Sequence, residues 1–515
     1  MPSGEDDPRR RRVPSAYGTA LVVLVSLQAF AAFLDANASQ TSRPWRVVLY
    51  AVATTVVFVG ALVLAVRWSR GDRDRMAVAV AGVAASFLNF SVLFDADPAD
   101  DRKLAAVLLV WLLLTAIAAR LLYLVGGNDN VRFALLIFVG MTLLLPTVSY
   151  ASYQASDHAL EPVADPGPLP IPDARPNVYW LMLDQYARPD VLERVMGFDD
   201  EPFVRELEGR GFQVSSTSRT SYPRTHLSLA STLEMDYVVE PGQEIGDDFE
   251  RFAPVVLGNN ATVARFRALG YQIVYGEAGG IEWSGCRADL VDVCLPIVRP
   301  SPATGELEQT LLDRTPLGVF ALPVPHGNPL SFADGLVDPE LGVRAPFFAF
   351  QHVLSPHYPY RYRDDCSARD RPLDARRTTP AERVQHYRTQ IRCLNGLVTE
   401  ALDRIIERDP SAVVIVQSDH GSDLTVTRDL HPDDWTPPQV TERYGVFNAM
   451  RLPAGCDADI EGQPLVNTFA IVFGCVEGTD PELRDYRGFT MPIDDVTDVT
   501  ELTEGRFEEE TGPEG

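Results

Sequence analysis

Five apolar runs, at about 20–34, 47–66, 76–94, 104–125 and 133–150, occupy most of the first 150 positions of this 515-residue chain. Each approaches the ~20 residues with which a helix spans a bilayer, and inside hydrocarbon a helix satisfies every backbone group within one segment. The sequence therefore predicts a membrane domain of five transmembrane helices over 19–151, behind a tail at 1–18. A cleavable leader is not expected, because four further runs follow the first and no small-residue cleavage site comes after it. Arg9, Arg10, Arg11 and Arg12 precede the first run. Arg67, Arg70, Arg73 and Arg75 separate the second from the third, whereas Asp95, Asp97, Asp100 and Asp101 follow the third. Cytoplasmic loops are the ones enriched in Lys and Arg, so the tail is expected in the cytoplasm. Five crossings then deliver everything after Tyr150 to the far side of a plasma (inner) membrane. Gln28 and Asn89 are polar intruders in the runs, and bonding to a neighbouring helix explains them more simply than a substrate path.

The formal charge of -26 argues against a nucleic-acid partner. Such binding needs clustered Lys and Arg that displace counterions, and nothing basic and contiguous follows Pro176. The cysteines, Cys286, Cys294, Cys366, Cys393, Cys456 and Cys475, all lie beyond the apolar runs. An even number at local spacing in an exported domain reads as disulfides. The expected pairing is 286–294, 366–393 and 456–475, one of the fifteen that six cysteines permit; the competing reading is buried free thiols. The stretch 161–176 is too rich in proline for a helix or a central strand, so 152–176 reads as a semi-rigid linker. Residues 501–515 are acidic and lack apolar periodicity, as a solvated, disordered tail would.

Over 177–500, short apolar stretches at 178–183, 271–275, 347–353 and 412–417 carry little charge, as strands covered on both faces do. Tyr387, Ile391, Leu394, Val398, Ala401 and Ile405 recur at helical spacing before the last of them. The alternation predicts an α/β domain with a doubly wound, mostly parallel sheet. In such sheets ligands bind beyond the carboxyl ends of the strands.

Asp184, Asp419, His420 and His357 fall at those ends. Asp184 follows the first apolar stretch and Ser418-Asp419-His420-Gly421 the last, where a glycine suits close approach of a metal. Thr225, in Tyr222-Pro223-Arg224-Thr225-His226-Leu227-Ser228, precedes a helical pattern, and the bland reading of its hydroxyl is a helix N-cap. A helix N-terminus also holds phosphate or sulfate oxygens. Carboxylates, an imidazole and a hydroxyl suit a divalent cation, zinc, manganese or magnesium, which would activate that hydroxyl. His352 and His357 are an odd number of residues apart, so a strand would put them on opposite faces unless the chain turns between them.

As an ordered set these residues resemble the alkaline phosphatase superfamily in its sulfatase-like branch, and most nearly the membrane-anchored lipoteichoic acid synthases and lipid A phosphoethanolamine transferases. Residues 177–184 are similar to the first metal-ligand strand, with Asp184 where those transferases often carry Glu. Thr225-His226-Leu227-Ser228 resembles their Thr-x-x-Ser nucleophile segment, and Ser418-Asp419-His420-Gly421 the metal pair. Ser355-Pro356-His357 is similar to a Ser-His-Gly-Pro segment whose histidine binds the transferred group, and His431 lies near where they place another substrate-side histidine. The likeness spans roughly 176–453.

It implies one divalent metal held by Asp184, Thr225, Asp419 and His420; a second metal has no complete ligand set that the sequence names. It further implies Thr225 as nucleophile with His357 and His431 as catalytic partners and Ser228 on the substrate side; beside them Arg224, next to the nucleophile, reads as a holder of a phosphate oxygen or as an exposed surface arginine, and His352 as a further substrate-side residue. The implied activity is transfer or hydrolysis of a phospho-alcohol group of a membrane lipid or cell-envelope glycan, in an extracytoplasmic catalytic domain at 177–500. A sulfuric ester hydrolase is a lesser alternative, since no cysteine lies near Thr225 to become formylglycine. A non-catalytic membrane protein that binds envelope glycans is the other.

Overall fold

The computed structural model describes residues 13–39, 41, 44–68, 71–93, 101–156, 163–243, 248–278, 283–296, 306–320, 328–373, 378–426, 431–492 and 498–507. Arg9 to Arg12, Arg70, Asp95, Asp97 and Asp100 lie outside the described residues. The chain forms two compact units, Met1–Ala159 with Leu307–Ala321, and Leu160–Glu306 with Leu322–Gly515.

The first unit is helical: α1 (Ala16–Ala36), α2 (Pro44–Trp68), α3 (Arg73–Leu88), α4 (Phe90–Leu93), α5 (Asp101–Val125) and α6 (Asp129–Ala155). Four stretches, Ala16–Ala36, Pro44–Trp68, Lys103–Val125 and Asp129–Ala155, are long and apolar enough to cross a membrane. The third expected span is interrupted at Asn89, where α3 gives way to α4. Its helix α3 has 16 residues, about 24 Å at ~1.5 Å per residue, against a hydrocarbon core of ~30 Å. Asn89 ends it by donating its side-chain amide to the Ala85 carbonyl at 2.9 Å, so this polar residue caps its own helix instead of bonding a neighbour. Small side chains let α3 pack closely: a Cβ on Gly18 of α1 would stand 2.5 Å from the Ala77 Cβ.

The two ends of this bundle have different chemistry. At one, Ser15 and Arg132 both meet Asp74, and the Tyr17 hydroxyl donates to the Arg132 carbonyl at 3.2 Å. At the other, Leu311 from the returning segment packs with Phe30, Phe33, Val47, Ala51 and Leu88. There the Arg314 guanidinium lies 5.5 Å from the centre of the Phe33 ring, and its carbonyl accepts from the Ser91 N–H at 3.4 Å.

The second unit is built on a seven-stranded sheet. Its strands are β1 (Val178–Leu183), β2 (Gln213–Val214), β3 (Gln272–Gly276), β4 (Val293–Leu295) and β5 (Phe347–Val353), with β8 (Val413–Ser418) and β9 (Asn448–Arg451) after the separate hairpin of β6 (Tyr360–Tyr362) and β7 (Ala368–Leu373). The order is β2-β9-β8-β1-β5-β3-β4. The five strands from β8 to β4 run parallel, whereas at one edge β9 runs antiparallel to β8, and β2 pairs antiparallel with β9. This is the doubly wound, mostly parallel α/β arrangement, and the four apolar stretches are β1, β3, β5 and β8.

Each central strand is buried on both faces. Tyr179, Leu181 and Leu183 of β1 point into one cluster with Ile391, Leu394 and Val398 of the Pro380–Arg408 helix. Val178, Trp180 and Met182 point into another with Leu229 and Leu233 of the Thr225–Glu234 helix and Phe469 of the Thr468–Glu477 helix. At ~1.5–3 kcal/mol per buried large apolar side chain, these two layers are the main source of stability. They can therefore carry a polar cluster that costs some of it.

Cys286–Cys294, Cys366–Cys393 and Cys456–Cys475 are bonded as expected, and no cysteine is free. The C-terminus departs from the expected tail. Thr500–Leu502 forms β11, paired with β10 (Gly488–Thr490), and Phe507 is buried against Tyr444 with the Arg219 guanidinium 4.1 Å from its ring centre. A single aromatic residue held by Tyr444, Tyr486 and Arg219 anchors this end without any periodicity; 508–515 lie outside the described residues.

Candidate active site

Strand register alone brings two carboxylates together. Leu183 pairs with Ser418 across the parallel β1 and β8, so the next residue on each, Asp184 and Asp419, leaves the sheet at one level and both are buried. On the other side of β1, His352 of β5 pairs with Met182. Alternation then gives it the same face as Asp184, and its Nε2 lies 3.8 Å from the Asp184 Oδ2. His420 follows Asp419 with its Nε2 3.3 Å from the Asp419 Oδ2. Asp184, Asp419 and His420 each offer one ligand atom within 4.8 Å of the others.

Thr225 comes from outside the sheet, on the helix that covers this face. Arg224 holds the extended N-cap position without a side-chain cap and Thr225 is the first helical residue, so capping does not occupy its hydroxyl. The Oγ1 lies 3.2 Å from the His420 Nε2 and bonds to Asp419. Arg224 is partly buried. Ser228 is one helical turn further on, buried, and donates to the Asp419 carbonyl at 2.6 Å. The structure thus gives Ser228 an internal partner that fixes the ligand loop.

The tautomers follow from the acceptors. The His420 Nδ1 is 2.9 Å from the Gly421 carbonyl, and a carbonyl only accepts, so Nδ1 carries the proton and Nε2 keeps its lone pair toward Thr225. Burial pushes the His420 pKa down to about 4, helped by the nearby Arg443 charge. The same reasoning applies to His357, whose Nδ1 bonds to the Tyr358 carbonyl and whose pKa is lowered first by burial. His352 is pushed down to about 4 by burial and has its Nδ1 2.9 Å from the Ser284 hydroxyl. All three histidines are neutral at ordinary pH. Burial, followed by the Asp419 charge, raises Asp184 well above the usual carboxylate range, whereas at Asp419 burial is offset by the neighbouring His420 and His352 rings and by hydrogen bonds from the Gln185 N–H and the Thr225 hydroxyl, and its pKa is lowered.

Asp184 Oδ1, Asp419 Oδ2 and His352 Nε2 are buried without a hydrogen-bond partner among the described residues. Orphaned buried carboxylate oxygens are rare and costly. A divalent cation is the group that two such oxygens, an imidazole lone pair and a hydroxyl fit.

The odd spacing of His352 and His357 is resolved by a turn. The chain passes through cis peptides before Pro356 and Pro359, and the His357 N–H donates back to the Asp184 carbonyl at 3.1 Å. His431 is placed differently. Its ring meets Asp433 at 3.5 Å and Asp498 at 3.6 Å, and it makes no contact with Asp184, Thr225, Asp419 or His420 among the described residues.

Sequence reasoning missed three participants. Gln185 holds a left-handed backbone (φ 68), an unfavourable state for a non-glycine residue, and its N–H donates to the Asp419 Oδ1 at 2.9 Å. Asp423 accepts from the Gln185 side chain at 2.7 Å. Arg443 donates to the carbonyls of Gly421, at 3.2 Å, and Pro223.

No family model matches the chain, and no curated protein matches it. Solved structures do. The C-terminal periplasmic domain of EcEptC from Escherichia coli, in complex with Zn, is 14% identical, covering 67% of this chain and 96% of that one with a TM-score of 0.42. The integral membrane protein lipooligosaccharide phosphoethanolamine transferase A from Neisseria meningitidis is 12% identical, covering 90% and 96% with a TM-score of 0.43. The phosphonate monoester hydrolase of Agrobacterium radiobacter is 15% identical, covering 61% and 80% with a TM-score of 0.38.

Proposed function

We propose that this protein is a membrane-bound, metal-dependent enzyme that moves a phospho-alcohol group from a lipid or envelope-glycan phosphodiester onto Thr225 and then to an acceptor or water. The observation that carries this reading is a threonine hydroxyl at a helix N-terminus, 3.2 Å from an imidazole lone pair and beside two buried carboxylates with orphaned oxygens. Asp184, Asp419, His420 and Thr225 would hold the cation; when bound it would acidify the Thr225 hydroxyl and offset charge on the phosphoryl oxygens.

The chain's own residues supply the rest. The leading N–H groups of the Thr225–Glu234 helix lack intrahelical acceptors and face an incoming anion. Thr225 Oγ1 bonds to phosphorus as the bond to the departing alcohol breaks. His357, neutral and unprotonated at Nε2, is suited to take the hydroxyl proton and return it to that alcohol. On this reading His357 acts as base first and acid second.

Placement of the domain outside the cytoplasm is supported by the bundle's two ends. The segment containing Leu311 and Arg314 lies in sequence between the disulfide residues Cys294 and Cys366, and it packs at the end away from Ser15. Disulfides persist in oxidising compartments, which supports this placement.

The test is turnover of a bis-aryl phosphodiester, with mass spectrometry for a phospho-adduct on Thr225. Thr225→Ala should reduce turnover at least ~10³-fold with most of the metal retained, as removal of a covalent nucleophile does. Persistent turnover in that variant refutes the reading. Faster cleavage of an aryl sulfate than of the diester would move it to sulfuric esters.

A further inference from the structure

Arg443, in the last turn of the Pro437–Tyr444 helix, touches both halves of the site. One guanidinium nitrogen donates to the Gly421 carbonyl at 3.2 Å, next to His420. The other donates to the Pro223 carbonyl, two residues before Thr225, and lies 3.5 Å from the His420 Nε2. The Arg443 carbonyl in turn accepts from the Gly421 N–H at 2.8 Å. A single planar fork thus ties the nucleophile loop to the ligand loop, which a lysine's point charge cannot do. The side chain is only partly buried.

Charge counting gives it a second task. Two carboxylates cancel a divalent cation, and the other charges felt at Asp184 are the Arg443 and Arg361 cations and the Asp423 anion, which leaves one surplus positive charge, carried beside Thr225 by Arg443. Its influence reaches Asp184, His357 and His420 alike. A singly charged phosphoryl diester is the anion that balances it. On the functional reading given above, we propose that Arg443 positions the substrate's phosphoryl oxygens, a positively charged anion-binding residue that also locks the Thr225 and His420 loops in register.

The experiment is equilibrium binding of inorganic phosphate to the full chain in detergent, loaded with zinc, with bound zinc counted. Loss of a charge-assisted contact should weaken phosphate binding by about 10- to 100-fold in Arg443→Met, with zinc content unchanged. Arg443→Lys should keep most of the phosphate affinity but lose kcat, because the charge stays while the two-carbonyl clamp goes. Should the Met variant not fold, Arg443→Gln gives the same binding readout. A folded Met or Gln variant that binds phosphate as tightly as the natural chain overturns the proposal, and so does a natural chain with no phosphate affinity. Those results are independent of turnover by Thr225→Ala, which tests the functional reading.

Discussion

Asp184 and Asp419 sit side by side because Leu183 and Ser418 are register partners on adjacent parallel strands. Neither carboxylate chose its neighbour through local sequence; the sheet aligned them. Each keeps a buried oxygen without a hydrogen-bond partner among the described residues, a net cost to the metal-free fold. Asp184→Asn should therefore leave the chelated protein at least as stable as the natural chain, by up to ~1–2 kcal/mol, while losing its response to metal. With zinc or manganese at ~100 times its dissociation constant, the natural chain should gain about 2.7 kcal/mol, read as a rise in Tm. Equal metal-induced shifts in the two proteins would contradict the ligand assignment.

Asp200 gives a pH dependence away from that cluster. Burial raises its pKa to about 7, against partial relief from its bonds with the Tyr186 hydroxyl at 2.9 Å and the Asn395 amide at 2.7 Å. A carboxyl whose folded pKa lies above its unfolded value of 3.8 binds protons more tightly in the native state. Its stabilising contribution is full below pH 3.8 and is lost as pH rises through about 7. Asp200→Asn mimics the neutral form, so its stability relative to the natural chain should climb between pH 4 and 8. The slope should be at most ~1.4 kcal/mol per pH unit. Parallel denaturation curves across that range would show that Asp200 is ionised throughout.

Much of this architecture was legible because the physics that builds it is visible in one dimension. A strand covered on both faces must be apolar without alternation, which exposed β1, β5 and β8, and a parallel sheet puts ligands at their carboxyl ends, which exposed Asp184 and Asp419. Other features leave no such trace. Arg443 lies on a short amphipathic helix where an arginine reads as surface. Gln185 adopts positive φ although nothing about glutamine announces it. Hydropathy does not register that Asn89 ends α3 by folding its amide back onto the Ala85 carbonyl. The bond from Ser228 to the Asp419 carbonyl leaves no trace either, because a serine that bonds a loop carbonyl and one that bonds substrate look alike until the loop is in place.

The Cys366–Cys393 bridge ties the turn of the β6–β7 hairpin to the Pro380–Arg408 helix across 27 residues. Closing a loop of that size in the unfolded chain is worth roughly 3–4 kcal/mol. Replacing both cysteines by serine should lower unfolding stability by about that amount with metal content unchanged. A denaturant midpoint unmoved by the double substitution would mean that the unfolded chain is already compact there.

Gly421 directs attention to what stands behind the ligand loop. Its sequence position suggested room for a metal, but a Cβ built there would lie 1.9 Å from the Glu442 carbonyl oxygen and 2.8 Å from that of Gly445. The close approach is backbone against backbone. Glu442, buried beneath it, accepts from the Ser422 hydroxyl and from the Leu424 N–H at 2.7 Å, so neither side can retreat without breaking bonds that hold the loop after His420. Gly421→Ala should therefore shift Asp419 and His420 relative to Thr225. The expected outcome is a destabilisation of ~2 kcal/mol or more and at least a tenfold loss of kcat, since misplacement by about 1 Å can cost ~100-fold. Measured turnover and Tm both close to those of the natural chain would show that the Glu442 backbone yields, and that the loop's position does not set the geometry at Thr225.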